Sequence, residues 1–462
     1  MTGRARPIVA AAILGVASLL LFWPGVAMYD TVSQYEQVVT GQLTDWHPPV
    51  MARLWQLLAV FGPGTAPIFV PQIALYWGGI ALLAGALAGC GRARAALATV
   101  VIGLCPVFLG WQAVVLKDSQ MLGAMLAATG LIGWWRLAGR PVPRWAWVLA
   151  AVLIAYATLV RANAVFATVP FVAMLPLWSW PRRLGAGLAG VALVLGLSGP
   201  INHRLLGAEA TDVTRTLPIF DLAGITAMGG RADGLTPAER AAILRAQCYK
   251  PFFWDPLGDD GHCGDALDRL HNEPAPDLFH AWVSAVVTNP IAYAMHRIAH
   301  LNETDRFLTP ANRPSAAPAS FTDANPYGLK PIGKPGVRFQ QLGAWVAASP
   351  LGWPIAYIAL GLALLIGTAR APATPERRLA RALLVSALTL EASFGVVSIA
   401  SDLRYHLWAM VAVALATILL ASAGLTRRAA LAVLGAVLLT IGAGTAARVI
   451  LPPGPASYRA ML

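Results

Sequence analysis

The sequence predicts an all-α polytopic membrane protein with about eleven transmembrane helices. Three observations predict it: a scarcity of charge, a series of apolar runs long enough to cross a bilayer, and arginines confined to alternate gaps between those runs. Only 12% of the 462 residues are charged, against 57% hydrophobic, and the mean hydropathy is +0.62. A soluble domain carries roughly 25% charged residues, so most of this chain must face lipid or other membrane helices.

Spans need about 20 apolar residues. The expected ones are 7–28, 67–89, 95–112, 119–135, 145–160, 164–180, 184–200, 347–369, 380–400, 406–425 and 429–450. Span 164–180 is short and carries Pro170 and Pro176. The gaps holding Arg4 and Arg6, Arg92 and Arg94, Arg136 to Arg144, Arg182 and Arg183, Arg370 to Arg381, and Arg427 and Arg428 contain 15 Arg and one acid, Glu376. They carry +14 of a chain total of +12, leaving −2 for everything else. With the amino terminus inside, every one of these gaps is cytoplasmic, which is the positive-inside pattern. The net charge therefore reports orientation and gives no support for a nucleic-acid partner. Residues 7–28 lack a clear small-residue cleavage site and read as an uncleaved first span.

The chain divides into an amino-terminal module of seven spans (1–200), a long outer loop (201–346) and a carboxy-terminal module of four spans (347–462). The first outer loop, 29–66, contains an apolar segment from Val50 to Phe61, too short to span and suited to the interface. In the second loop, Thr236-Pro237-Ala238-Glu239 reads as a capped helix start. Asn289-Pro290 opens another helix, with Ile291, Met295 and Ile298 on one face, expected to rest on the membrane surface. His296 and Arg297 of that helix read as a solvated face. Pro and Gly crowd residues 308–336. Cys248 and Cys263 share this loop, which favours a disulfide in an oxidising compartment. His262 and His271 offer a zinc alternative without a strong spacing pattern, and Cys90 and Cys105 lie in or beside spans.

The predicted topology sorts the polar residues. Asp30, the Asp45-Trp46-His47-Pro48-Pro49 run, Lys117-Asp118-Ser119, Arg161-Ala162-Asn163 and Asp402-Leu403-Arg404-Tyr405-His406 all fall in outer turns. Any one alone is an ordinary interface residue. Five such groups on one side, against cytoplasmic turns of Arg, Gly and Pro, point to a shared polar cavity. Asp30 could take a proton from an acceptor hydroxyl while that oxygen attacks a sugar carbon. Asp118 could orient the acceptor, share a metal or hold a partner cation. Lys117, Arg161 and Arg404 could neutralise a phosphate leaving group. Asn163, His47 and Tyr405 are further candidates for substrate contact, with a turn cap and an interfacial anchor as the plain alternatives for the last two. Glu391 falls inside the ninth span and reads as a buried, hydrogen-bonded group, with a proton relay as the alternative.

This arrangement resembles the GT-C class of membrane glycosyltransferases, which includes protein O-mannosyltransferases and bacterial aminoarabinose transferases. Asp30 just after the first span and Asp118 in the turn between the third and fourth spans match its two acidic positions. The long first loop with an interfacial helix matches as well. Taken with Trp46-His47-Pro48-Pro49, Lys117-Asp118 and Arg161-Ala162-Asn163, the order of elements is similar to a group of bacterial members. The resemblance implies a polyprenyl-phosphate sugar donor, inverting transfer to a glycan, lipid or protein acceptor, and Asp30 as general base. It implies a place in the bacterial cytoplasmic (inner) membrane with the active site on the outer face. It also makes Lys117, Arg161 and Arg404 candidates for the lipid phosphate. Thr31 follows Asp30 where several members carry a second acid, so a divalent metal, Mg or Mn, stays open. The competing reading is a transporter or flippase of a lipid-linked or polar substrate. No internal repeat favours it, and Glu391 is the sole acid deep in a predicted span.

Overall fold

A computed structural model describes residues 3–259, 262–455, 457–458 and 460–461. The chain is an all-α multi-pass membrane protein, and among the described residues β structure is limited to isolated bridges. The helices are α1 (Ala5–Phe22), α2 (Tyr29–Thr40), α3 (Val50–Leu58), α4 (Ala66–Gly89), α5 (Ala93–Gly103), α6 (Pro106–Gln112), α7 (Lys117–Arg136), α8 (Arg144–Leu159), α9 (Val165–Met174) and α10 (Trp180–Gly199). They continue with α11 (Thr216–Ala227), α12 (Pro237–Arg245), α13 (Asp255–Gly258), α14 (Asp268–Asn272), α15 (Ala275–Thr288), α16 (Pro290–Thr304), α17 (Lys334–Ala348), α18 (Pro354–Gly367), α19 (Pro375–Val397), α20 (Leu407–Ser422) and α21 (Arg427–Ile450).

Each of the eleven expected spans overlaps a helix in part or in full. Among the described residues six helices are long and apolar enough to cross a membrane alone. The pair α5–α6, bent by 55°, would make a seventh. The other four expected spans fall on α7, α8, α9 and α18; the last three are short apolar helices. α10 has no buried residue, as expected of a span whose apolar surface faces lipid.

Two compact units emerge. The first is Met1–Glu209, Ala316–Glu391 and Arg404–Thr440; the second is Ala210–Ser315, Ala392–Leu403 and Ile441–Leu462. The three-part division expected from sequence follows chain order, whereas these units interleave along the chain. The end of the long loop belongs to the first unit because α17 packs on α6: the Gln340 amide donates to the Gly110 carbonyl (2.9 Å). Phe339 meets Phe22 edge-on.

In the first unit α4 and α7 lie unusually close. A Cβ on Gly79 would overlap the Leu126 backbone, and one on Gly130 would overlap the Gly79 carbonyl. Small residues at such crossings let membrane helices approach to backbone contact. This packing fixes α7, whose first turn carries Lys117 and Asp118. In the first loop, α3 buries Met51, Ala52 and Trp55, while its Leu57 and, in the 3-10 turn that follows, Val60 and Phe61 are exposed, as an interfacial segment would leave them.

In the second unit the Thr236 cap forms: its hydroxyl accepts from the Glu239 N–H (3.2 Å), and Glu239 accepts from the Thr236 N–H (2.6 Å). Cys248 and Cys263 are joined by a disulfide with Cα atoms 5.9 Å apart, while His271 faces the Leu257 carbonyl (3.0 Å). Ile291, Met295 and Ile298 of α16 are exposed. The solvated-face expectation for His296 and Arg297 fails, since both are buried. They are held there by Asp221 on α11, which His296 Nε2 meets at 2.8 Å and Arg297 meets through Nη2.

Candidate active site

Asp30 sits in the first turn of α2, and local backbone pairing brings it to the start of α7. The Val26 N–H donates to the Ala113 carbonyl and the Val115 N–H to the Val26 carbonyl, both at 3.0 Å. The Thr31 hydroxyl then donates to the Val115 carbonyl (2.7 Å). Val26, Val114, Val115 and Leu116 are fully buried, so apolar burial and backbone hydrogen bonds reinforce one junction.

The turn ahead of α7 is held from the other side by glutamines. Gln72 of α4 donates to the Gln112 and Val114 carbonyls (2.7 and 2.9 Å). Gln120 donates to Gln72 Oε1 (2.8 Å) and accepts from the Tyr156 hydroxyl (3.2 Å). The Ser119 hydroxyl donates to the Trp111 carbonyl (2.7 Å). Buried polar groups linked in this way fix one geometry at the base of the site.

Upon this base the expected residues gather. Arg404 Nη1 donates to Asp30 Oδ2 at 2.8 Å, and Lys117 Nζ lies 3.4 Å from the same oxygen. Lys117 also donates to His47 Nδ1 at 2.7 Å. Arg161 pairs with Asp118 through Nη1 and donates from Nε to Asn163 Oδ1 (2.6 Å). The Tyr405 ring has Arg161 4.2 Å and Arg404 5.4 Å from its centroid. The eight residues given catalytic or substrate-contact roles from the sequence therefore form one chain of contacts, from His47 through Lys117, Asp30, Arg404, Tyr405 and Arg161 to Asp118 and Asn163.

The electrostatics follow from this packing. Burial alone would raise the Asp30 pKa, but Arg404 and Lys117 outweigh it and hold the carboxyl well below the usual carboxylate range. Burial, with Lys117 adding to it, pushes His47 down to about 3. It is a neutral imidazole that accepts from the Lys117 ammonium. Lys117 lies two residues ahead of the expected span. Its pKa is lowered to about 8, by burial first and by Arg404 and Arg161, against the support of Asp30. One carboxylate thus faces two cations at the centre, and Asp118 and Arg161 balance each other beside it. The surplus is positive and suits a phosphate, which Arg meets with a fork of donors and Lys with a point charge.

A divalent metal does not fit this donor set. Lys117 and Arg404 already occupy Asp30, and Arg161 occupies Asp118, whereas Mg and Mn need several oxygen ligands free of competing cations. Of the three tasks open to Asp118, holding a partner cation matches its contact. Glu391 meets His406 Nδ1 at 2.7 Å. The Gln72, Gln112 and Gln120 set was missed in the sequence. Their signal was present: amides inside apolar runs, which must find partners.

No family model matches the chain, and no curated protein matches it. Among solved structures, it is similar to the archaeal oligosaccharyltransferase AglB from Archaeoglobus fulgidus, in complex with an inhibitory peptide and a dolichol-phosphate. The identity is 14% and the TM-score 0.38, with 98% of this chain and 56% of that one covered. The chain spans little more than half the length of that protein. Likeness at this level assigns neither a family nor an activity.

Proposed function

We propose that the chain is a membrane glycosyltransferase that moves a sugar from a polyprenyl-phosphate-linked donor to an acceptor hydroxyl at the outer face, with inversion. One observation carries this reading: the largely enclosed Asp30 carboxylate lies between Arg404 and Lys117. Paired in this way, Asp30 is a weak base. A donor phosphate would draw both cations onto its own oxygens, and Asp30 would recover basicity as they turn away. Its carboxylate then takes the acceptor proton as the acceptor oxygen bonds to the anomeric carbon from the face opposite the phosphate. The bond from that carbon to the phosphate oxygen breaks, and its electron pair leaves with the lipid phosphate. Lys117 and Arg404 meet the developing charge. Asp118 positions Arg161, which stacks on Tyr405 beside Arg404. His47 keeps Lys117 aimed at the site.

The arginine distribution supports the outer-face orientation, and the Cys248–Cys263 disulfide is suited to an oxidising compartment. The test is reconstitution of the full chain in liposomes with radiolabelled polyprenyl-phosphate sugars. The expected result is stoichiometric release of polyprenyl phosphate with a covalent glycosylated product. Movement of the donor across the bilayer with no such product, over a panel of sugars and acceptors, would overturn the proposal in favour of transport.

A further inference from the structure

The second unit contains a buried guanidinium with two donors that the described residues leave unpaired. Arg306, just past the end of α16, is 3% exposed. Its Nε and Nη2 have no hydrogen-bond partner among the described residues. It holds a left-handed backbone conformation, φ 54°, which costs energy for a side chain of this size. Two more arginines converge on it. Arg448 Nη2 donates to the Arg306 carbonyl (2.8 Å) and Nη1 to the Phe307 carbonyl (3.1 Å). Arg313 pairs with Glu303 at 2.5 Å, and the Glu303 carbonyl accepts from the Arg306 N–H (3.3 Å). Asp402 is the carboxylate that favours the Arg306 charge most, while burial, Arg313 and Arg448 work against it.

Buried guanidinium donors left without hydrogen bonds are costly for a protein to keep. Asp402 offsets part of the charge but leaves those two donors unpaired, so they call for an acceptor such as a phosphate oxygen. We propose that Arg306, Arg313 and Arg448 form a binding site for a phosphate group. The Arg306 Nε and Nη2 donors would supply a fork to two phosphate oxygens. Inorganic phosphate and an anionic phospholipid headgroup share this chemistry. The proposal does not depend on the glycosyltransferase reading, and its test needs no turnover.

The experiment measures thermal unfolding of the full chain in two settings: in detergent with inorganic phosphate, and in nanodiscs of phosphatidylglycerol or phosphatidylcholine. At saturating ligand the expected rise in Tm is roughly 3–5 °C. A rise with inorganic phosphate assigns the site to the free ion. A rise confined to phosphatidylglycerol assigns it to the headgroup. Arg306→Met abolishes the rise and is at least as stable as wild type without phosphate. If that variant fails to fold, Arg313→Gln serves, with about tenfold weaker phosphate binding expected. The proposal is overturned by no rise in the wild type, an equal rise with chloride at matched ionic strength, or an undiminished rise in either variant. Loss of stability in Arg306→Met without phosphate overturns it as well, because Arg306 would then serve the fold.

Discussion

Arg404→Gln should break the contact on which the proposed site turns, and its cost can be worked from the geometry. The pair is 2.8 Å apart, with side chains 6% and 14% exposed. At an effective dielectric near 20 the attraction is roughly 6 kcal/mol before desolvation. Bringing both groups out of water cancels much of this, and Lys117 at 3.4 Å still supports Asp30 in the variant. A coupling of about 2–3 kcal/mol is expected to remain, within the range measured for close buried charge pairs. The assay is a double-mutant cycle of Asp30→Asn, Arg404→Gln and the double variant, read by unfolding in detergent. The double variant should be more stable than the two single losses added together predict. Coupling below roughly 0.5 kcal/mol, the level of independent sites, would refute the Asp30–Arg404 pair.

Other consequences follow from the same geometry. The Lys117 pKa near 8 means that the ammonium is present below that pH and lost above it. Donor binding should therefore weaken as pH rises through 8, and Lys117→Arg should move that limb beyond pH 10 in a KM–pH profile. Asp118→Asn leaves Arg161 buried without its carboxylate. It should cost about 3–5 kcal/mol in unfolding measurements, with partial recovery when Arg161→Gln is added. Gly130→Val forces a branched side chain against the Gly79 carbonyl. It should lower Tm and transfer together by displacing the start of α7, whereas Gly435→Val, where a Cβ meets nothing, should leave both unchanged.

Much of the site was legible in the sequence because membrane topology acts as a sorting rule. Alternating arginines fix which turns share a side, and polar residues in short turns between apolar runs have few places to go. Asp30, Lys117, Arg161 and Arg404 could thus be gathered from positions far apart in the chain. What could not be read was the identity of each partner. Asp118 matched an acidic position, but nothing in its local sequence told that Arg161 rather than substrate would hold it. The amphipathic pattern of α16 was plain, yet the pattern alone cannot distinguish a polar face in water from one buried on Asp221. Similarly, α17 carries no mark that it packs on α6 rather than with the loop before it. Helix periodicity specifies a face to be covered and leaves open what covers it.

If Asp30 takes the acceptor proton while Lys117 and Arg404 bind the donor phosphate, wild type and Asp30→Asn, inserted to equal levels, should differ sharply in single-turnover transfer and little in donor affinity. The variant should bind donor at least as tightly, because its cations are no longer held by a carboxylate, and transfer at least about 10²-fold more slowly, the lower end of general-base contributions. Transfer at the wild-type rate with donor binding intact would contradict that role for Asp30.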